Sequence, residues 1–233
     1  MAKRQKSRVR RIVGKLVRLV AWCILASVLW VLLYKWVNPP ITVLQVREYF
    51  KLEEGQKFRK DWADYEDISK QMPLALVAAE DQRFAHHSGF DWEAIEAAAE
   101  YNRTHDKTRG ASTISQQVAK NVFLWPQRSW FRKGLEVWFA MWVELLWSKE
   151  RILEVYMNVA ETGTGTFGVE AASQRFFKKP SSKLSRREAS LIAASIPSPR
   201  KSNPAKPSTY LNNRAIKIER QMRMLGRWDW SEQ

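Results

Sequence analysis

The hydrophobic pattern marks one long apolar run near the start of the chain. "LVAWCILASVLWVLLY", between Arg18 and Lys35, holds sixteen residues without a charge, and Lys35 can reach toward lipid headgroups, which extends the span to 19–37. At about 1.5 Å per residue, a helix of this length nearly crosses a hydrocarbon core of roughly 30 Å. The pattern therefore predicts a transmembrane helix at 19–37, followed by a stalk and entry segment at 38–72.

Helical spacing of apolar residues prevails after this segment. We find no convincing alternation of period two and no internal repeat. Start signals support the helical interpretation, because Asp91 and Ser112 can each cap a following helix, and Ser185 forms a capping box with Glu188. The pattern predicts a mostly α-helical domain at 73–233.

The distribution of charge predicts the orientation of the chain. The net charge is +15, and the first 18 residues hold eight Lys and Arg and no acid, so subtracting these eight leaves +7 for residues 19–233. The positive-inside rule then places the basic tail, 1–18, in the cytoplasm and the domain outside. Because a chain outside the cytoplasm rarely meets DNA or RNA, we expect no nucleic-acid partner.

A cleaved signal peptide is the alternative to a membrane anchor. No small-x-small cleavage site follows the apolar run, which passes instead into "YKWVNPP". A lipoprotein signal is disfavoured as well, because Trp22 stands where a small residue should precede Cys23. We therefore expect a single-pass anchor.

The stretch "LVAAEDQRFAHHSGFD" places a carboxylate at the end of an apolar turn. Partial desolvation would make Glu80 a stronger base when it is ionised, whereas the alternative is a helix-terminal residue paired with a cation. The adjacent His86 and His87 do not match a familiar zinc spacing. We expect a structural role for at least one of them.

Two later stretches carry candidate binding groups. "RGASTISQQVAKNVFL" puts the hydroxyls of Ser112 and Thr113 at a helix start, which is a natural anion site, with Gln117 and Lys120 further along the same face. "RSWFRKGLE" contains the other group, which consists of Arg132, Lys133 and Glu136. By spacing alone, its carboxylate forms an intrahelical ion pair.

The helix predicted to include this second stretch is rich in tryptophan. Its four tryptophans, Trp130, Trp138, Trp142 and Trp147, suit a membrane interface, whereas Trp138, Trp142 and Leu145 also fit one helical face and suit core packing. Both interpretations stay open at this point.

Five motifs together resemble a known family. "EDQRFAHHSG", "GASTISQQVAKN", "RKGLE", "KERILEVYMN" and "REASLIAASIPSP" occur in the order and spacing of the peptidoglycan glycosyltransferase family. The chain resembles the monofunctional biosynthetic form, which is related to the glycosyltransferase domain of bifunctional penicillin-binding proteins. The resemblance covers about residues 60–205, and we expect no transpeptidase domain after residue 205.

The resemblance implies a lysozyme-like fold and a transferase that polymerises lipid II, the undecaprenyl-pyrophosphoryl disaccharide-pentapeptide. Glu80 matches the proposed general base of an inverting transfer that forms β-1,4 bonds. Glu136 matches a second glutamate that supports pyrophosphate binding, either directly or through a divalent cation, Mg²⁺ or Mn²⁺. The matching pyrophosphate- and sugar-binding positions are Ser112, Thr113, Gln117, Lys120, Arg132 and Lys133.

Further positions of the motifs match residues that we expect to shape the site rather than to react. These are Asp81, Phe84, His87 and Gly89, together with Asn158, which we expect to be structural. The resemblance implies no covalently bound cofactor. It names as partners lipid II, the growing undecaprenyl-linked glycan and membrane lipid, and it admits other cell-wall synthases or division proteins. Monofunctional forms of Gram-negative bacteria imply a cell inner membrane location, with the catalytic domain in the periplasm.

Two other functions use similar residues. A hydrolase or lytic transglycosylase of lysozyme-like fold would also use a glutamate, but it would need neither the cationic residues nor the anchor. A non-catalytic scaffold would keep the fold without the activity. Analysis of the products separates the three functions. A transferase lengthens glycan strands, a hydrolase or lytic enzyme shortens them, and a scaffold leaves them unchanged.

Overall fold

A computed structural model describes residues 2–106, 108–127 and 129–226, with the backbone alone for residues 2–9. The chain forms two compact units, which divide between Asn38 and Pro39. Residues 227–233, which the sequence analysis assigned to the domain, lie outside the described residues.

The first unit is built on helix α1 (Ala2–Leu33). Its part from Arg10 to Leu33 has a mean hydropathy of 2.4, so it is long and apolar enough to cross a membrane. The helix starts before the expected span, because Lys and Arg are good helix formers and do not end a helix. It ends before Val37, in tighter turns such as the bond from Lys35 N–H to Leu32 C=O, ahead of two prolines.

The second unit is mostly helical, as predicted. Its helices are α2 (Val43–Tyr49), α3 (Gln71–Glu80), α4 (Trp92–Thr104), α5 (Ile114–Phe123), α6 (Trp130–Leu146), α7 (Lys149–Val159), α8 (Val169–Phe177), α9 (Arg186–Ser195) and α10 (Thr209–Leu225). Helix α3 packs against α9 and α10, and α5 packs against α6 and α7.

A small sheet joins the helices of this unit. Its strands are β1 (Arg59–Lys60), β2 (Glu161–Gly163) and β3 (Thr166–Phe167), with β3 in the middle, parallel to β1 and antiparallel to β2. These strands are not predictable from the sequence pattern, because two or three residues are too few to show alternation. Both β1 and α2 lie in the segment expected to be a stalk, and the structure includes that segment in the compact unit.

Helix α3, which leads to the site, is apolar and largely buried. Its residues Met72, Ala75, Leu76 and Val77 are at most 2% exposed. A helix that is apolar on all sides is stable only inside a protein, so α3 lies between its neighbours rather than on the surface. As a result, Glu80, its last residue, leaves the helix at the edge of the core.

The helix caps agree with the sequence analysis at two of three positions. Asp91 accepts from the backbone of α4, and Ser185 forms the expected capping box at α9. At α5 the cap is Thr113 rather than Ser112. The capping box requires a Glu or Gln three residues later, and Gln116 stands at that distance from Thr113 only.

Asn158 connects α7 to the segment before α3. Its side chain accepts from the N–H of Ala63 at 2.9 Å and donates to the carbonyl of Ala63 at 2.8 Å and that of Glu154 at 2.9 Å. The residue is 1% exposed, so water cannot replace these bonds. The contacts agree with the structural role expected for Asn158.

We predict that Asn158→Ala lowers the free energy of unfolding by about 2–3 kcal/mol, because it leaves buried backbone groups of Ala63 without partners. The measurement is urea unfolding of the detergent-solubilised chain, followed by circular dichroism. Asn213→Ala, an exposed position on α10, is the matched control. Equal midpoints for the two variants would contradict the prediction.

Candidate active site

The carboxylate of Glu80 lies at the end of α3 and is 13% exposed. Its Oε2 accepts from Gln117 Nε2 at 3.1 Å, and its Oε1 lies 3.4 Å from Arg214 Nη2. Burial raises the pKa of Glu80, and this effect outweighs the hydrogen bond from Gln117 and the nearby charges of Arg214 and Lys120, which lower it. Such a carboxylate is a stronger base than an exposed one, provided that it stays ionised.

The amide of Gln117 is oriented by a buried tyrosine. The hydroxyl of Tyr156 donates to Gln117 Oε1 at 2.9 Å, which leaves the amide nitrogen to face Glu80. Burial is the main cause, and the negative charge of Glu80 the second, of a pKa of Tyr156 well above its usual value. The phenol therefore keeps its proton. Helices α7 and α5 therefore hold one oxygen of Glu80 through a chain of two hydrogen bonds.

Asp81 and His87 fix the loop that follows Glu80. Asp81 Oδ2 accepts from the N–H of Ile114 at 2.9 Å, and Asp81 Oδ1 lies 3.0 Å from His87 Nε2. Because His87 Nδ1 accepts from the N–H of Gly89 at 3.2 Å, we assign the ring proton to Nε2, which donates to Asp81. The pair ties this loop to the start of α5, which carries Gln117 and Lys120.

The same loop is held from behind by a buried ion pair that the sequence analysis missed. Lys149 Nζ donates to both oxygens of Glu144, at 2.8 and 2.9 Å, and to the carbonyl of His87 at 2.6 Å. It also lies 4.5 Å from the centre of the Phe84 ring. Lys149 belongs to a recognised motif, but its partner comes from α6, outside every motif. No local pattern reveals such a pair.

Gly89 fits this arrangement in two ways. Its φ of 90° lies in the left-handed region that glycine tolerates. A Cβ at this position would lie 3.0 Å from Glu144 Cγ, so a side chain would push against the buried pair.

Within the described part of the chain, no group of three or more His, Cys, Asp and Glu side chains is arranged to hold a metal ion.

Four charged side chains form a cationic cluster, namely Lys120, Arg132, Lys133 and Glu136. Arg132 Nη1 lies 3.1 Å from Glu136 Oε2, and Lys133 Nζ contacts Glu136 Oε1. Burial lowers the pKa of Lys120, and the charge of Glu136 opposes this effect. Three cations and one carboxylate leave the cluster positive, so it suits an anion next to Glu80.

Ser112 and Thr113 do not play equal parts. The hydroxyl of Thr113 caps α5 and donates to the carbonyl of Gly89 at 2.7 Å, and the residue is 2% exposed. Its hydroxyl is therefore engaged within the protein. Ser112 is exposed at the start of α5, where a ligand can reach it.

The surroundings of Glu136 do not fit a divalent cation. Both carboxylate oxygens face the side chains of Arg132 and Lys133, and Glu136 is 4% exposed. Mg²⁺ and similar ions are held by several oxygen ligands, often with water, and are repelled by adjacent cations. We therefore derive no step through a metal at this position.

Helix α6 buries a face other than the expected one. Phe139, Ala140 and Val143 are buried. Leu145 is 69% exposed, so the interpretation that it packs in the core together with Trp138 and Trp142 is wrong for Leu145. Trp138 and Trp142 are half-buried and contact each other. The helix ends are also unlike, because Trp130 is 92% exposed and Trp147 is 5% exposed. The spacing did not distinguish these faces, because apolar residues surround most of this helix.

Comparison with known proteins gives a consistent result. The family described as Transglycosylase matches residues 47–223. A biosynthetic peptidoglycan transglycosylase of Stutzerimonas stutzeri (strain A1501) is 48% identical over 220 residues, which cover 93% of this chain and 91% of the relative. A protein of the same name from Shewanella oneidensis is 47% identical, and the match covers 94% of this chain and 94% of the relative. Another from Pseudomonas entomophila is 50% identical, and that match covers 91% of each chain.

We predict that Glu136→Gln lowers the free energy of unfolding by about 3 kcal/mol, because a buried carboxylate is the partner of two cations. Urea unfolding measures the change. Glu100→Gln is the control, because Glu100 pairs with Arg103 on the exposed surface of α4, with side chains 71% and 76% exposed. Its expected effect is about 0.5 kcal/mol or less. A Glu136 variant as stable as this control would contradict the ion-pair assignment.

Proposed function

The chain belongs to the transglycosylase family, and on that premise we propose that it polymerises lipid II into β-1,4-linked glycan strands, with Glu80 as the general base. Family membership and the relatives' names make the chain a peptidoglycan transglycosylase, which is a glycosyltransferase. The finer proposal concerns the substrate, the base and the stereochemistry. It is carried by one observation, namely a desolvated carboxylate beside a partly buried cationic cluster.

Glu80 takes the proton from the 4-hydroxyl of the acceptor's N-acetylglucosamine. The oxygen then attacks the anomeric carbon of the donor's N-acetylmuramic acid, and the bond from that carbon to the undecaprenyl pyrophosphate breaks. Because the attack comes from the side opposite the α-linked leaving group, the new bond is β. Gln117 supports this role, because its amide holds Oε2 of Glu80 at 3.1 Å, whereas Oε1 has only the longer 3.4 Å contact with Arg214.

Pyrophosphate leaves as an anion, so it needs positive charge more than it needs a proton. The side chain of Arg132 is 11% exposed and its Nη1 pairs with Glu136, so its charge is largely desolvated and held in place, which strengthens its attraction to a phosphate group. Lys120 and the half-exposed Lys133 add charge. Burial lowers the pKa of Lys120, and an arriving pyrophosphate opposes this effect, so substrate binding favours the protonated amine.

Glu136 acts in this proposal by holding two cations in place rather than by touching the reacting atoms. Ser112 is exposed and able to reach sugar or phosphate, whereas the hydroxyl of Thr113 is engaged in the cap and the amide of Gln117 is held between Glu80 and Tyr156. Partnership with other cell-wall synthases or division proteins stays a prediction from the resemblance.

We predict that the detergent-solubilised chain polymerises labelled lipid II, and that Glu80→Gln loses about 10²- to 10⁴-fold in rate because the general base is gone. Gel separation of the labelled strands measures polymer, and digestion by a muramidase checks the β-1,4 bonds. Glu96→Gln, an exposed position on α4, is the matched control and keeps full activity.

Other outcomes of this experiment are equally informative. Equal polymer from wild type and Glu80→Gln would remove Glu80 from its role as base. No polymer from either protein, with an active control enzyme, would favour the scaffold function. Shortening of isolated murein would favour a lytic enzyme.

The apolar helix supports a location at the cell inner membrane, with the N-terminus in the cytoplasm and the second unit in the periplasm. The part from Arg10 to Leu33 is long enough to span, and the basic residues precede its apolar half. A signal sequence passes the same test of length and composition. The experiment must therefore separate an anchor from a cleaved leader.

We predict that protease added to spheroplasts digests a C-terminal tag and spares an N-terminal tag, because only the second unit is outside. Permeabilised cells are the control, in which both tags are digested. Loss of the N-terminal tag from the mature chain would indicate cleavage instead, and digestion of the N-terminal tag in intact spheroplasts would indicate the opposite orientation.

A further inference from the structure

Helix α10 brings a charged residue to Glu80 from outside all five motifs. Its buried residues, Leu211, Ala215, Ile218 and Met222, form one face that packs on the neighbouring helices, among them α3. Arg214 borders this face, so its side chain lies at the packed surface and reaches the end of α3. The motifs end at about residue 205, and sequence analysis therefore had no reason to select it.

The contact gives the two oxygens of Glu80 different partners. Arg214 Nη2 lies 3.4 Å from Oε1, and Gln117 Nε2 lies 3.1 Å from Oε2. The Arg214 side chain is 31% exposed, yet its Nε is buried and has no hydrogen-bond partner among the described residues. A buried donor without a partner costs stability, so packing alone is a poor reason for an arginine here.

We propose that Arg214 is a positioning residue for Glu80, whose guanidinium orients the carboxylate and keeps it ionised for proton abstraction. This role rests on the proposed function of Glu80 as base. It makes α10, the last described helix, a part of the catalytic arrangement.

The other charged groups near Glu80 cannot take over this role. Lys120 on α5 lowers the pKa of Glu80, and the charge of Asp81 raises it. Tyr156 on α7 keeps its proton and so contributes no charge. When pyrophosphate occupies the cationic cluster, its negative charge offsets that of Lys120. Among the described residues, Arg214 is then the cation that continues to favour the ionised form of Glu80.

The charged residues of α9, which also packs on α3, face other partners. Arg186 bonds to Gln71, Arg187 to Glu219 and Glu188 to Lys179. Elsewhere on α10, Lys217 and Arg220 are exposed. Removal of the Arg214 charge should therefore change the titration of Glu80 specifically.

The test compares the full chain in detergent with Arg214→Gln, Arg214→Lys and the matched control Arg220→Gln. The pH dependence of kcat/KM for lipid II polymerisation is measured for each. We expect Arg214→Gln to move the acid limb to higher pH and to lose roughly tenfold in kcat/KM on that limb, because the carboxylate becomes harder to ionise. Arg214→Lys keeps the charge, so its limb stays near that of wild type, and Arg220→Gln matches wild type.

A second readout keeps this inference separate from the proposed function. Carbon-13 NMR of the glutamate carboxyl groups, with Glu80→Gln to assign the signal, follows the titration of Glu80 without substrate. If wild type does not polymerise lipid II, the proposed function fails, but the NMR titration still shows whether Arg214→Gln raises the pKa of Glu80.

An unchanged titration of Glu80 in Arg214→Gln would overturn the inference. So would a uniform loss of activity at every pH, which would make Arg214 a substrate contact or a purely structural residue. Thermal unfolding of each variant checks the fold. If Arg214→Gln does not fold, Arg214→Lys decides, because inactivity at every pH would contradict a role based on charge.

Discussion

The proposed reaction depends on a carboxylate that must stay ionised while it is largely removed from water. Glu80 ends a helix that is apolar on all sides, and burial raises the pKa of its carboxyl group. Desolvation increases basicity, but the same effect favours the protonated form, which is useless as a base. The surrounding helices supply hydrogen bonds and positive charge that limit this effect.

These supports come from distant parts of the chain. Helix α5 contributes Gln117 and Lys120, α7 contributes the tyrosine that orients Gln117, and α10 contributes Arg214. The position of α5 depends on Asp81, which accepts from its first turn, and on the cap at Thr113. Behind the loop, the pair of Glu144 and Lys149 holds the carbonyl of His87. Glu80 and the cationic cluster are thus fixed relative to each other by the packing of the second unit.

The sequence predicted those features that local pattern encodes. It predicted the helical class and the caps at Asp91 and Ser185, because apolar spacing and capping residues are continuous in the chain. It did not predict Arg214 or the pair of Glu144 and Lys149, since each contact joins residues from different helices. It placed a cap at Ser112, one residue before the actual cap at Thr113. One of its two interpretations of α6 also put Leu145 in the core, from which a small rotation of the helix separates it.

The most direct test of the central claim is the pH dependence of kcat/KM for lipid II polymerisation by the wild-type chain. If desolvation governs Glu80, activity falls as the pH decreases through a pKa above the usual glutamate value of about 4.3, because the protonated carboxyl cannot accept a proton. An acid limb at or below that value would contradict the account, as would the same limb in the residual activity of Glu80→Gln.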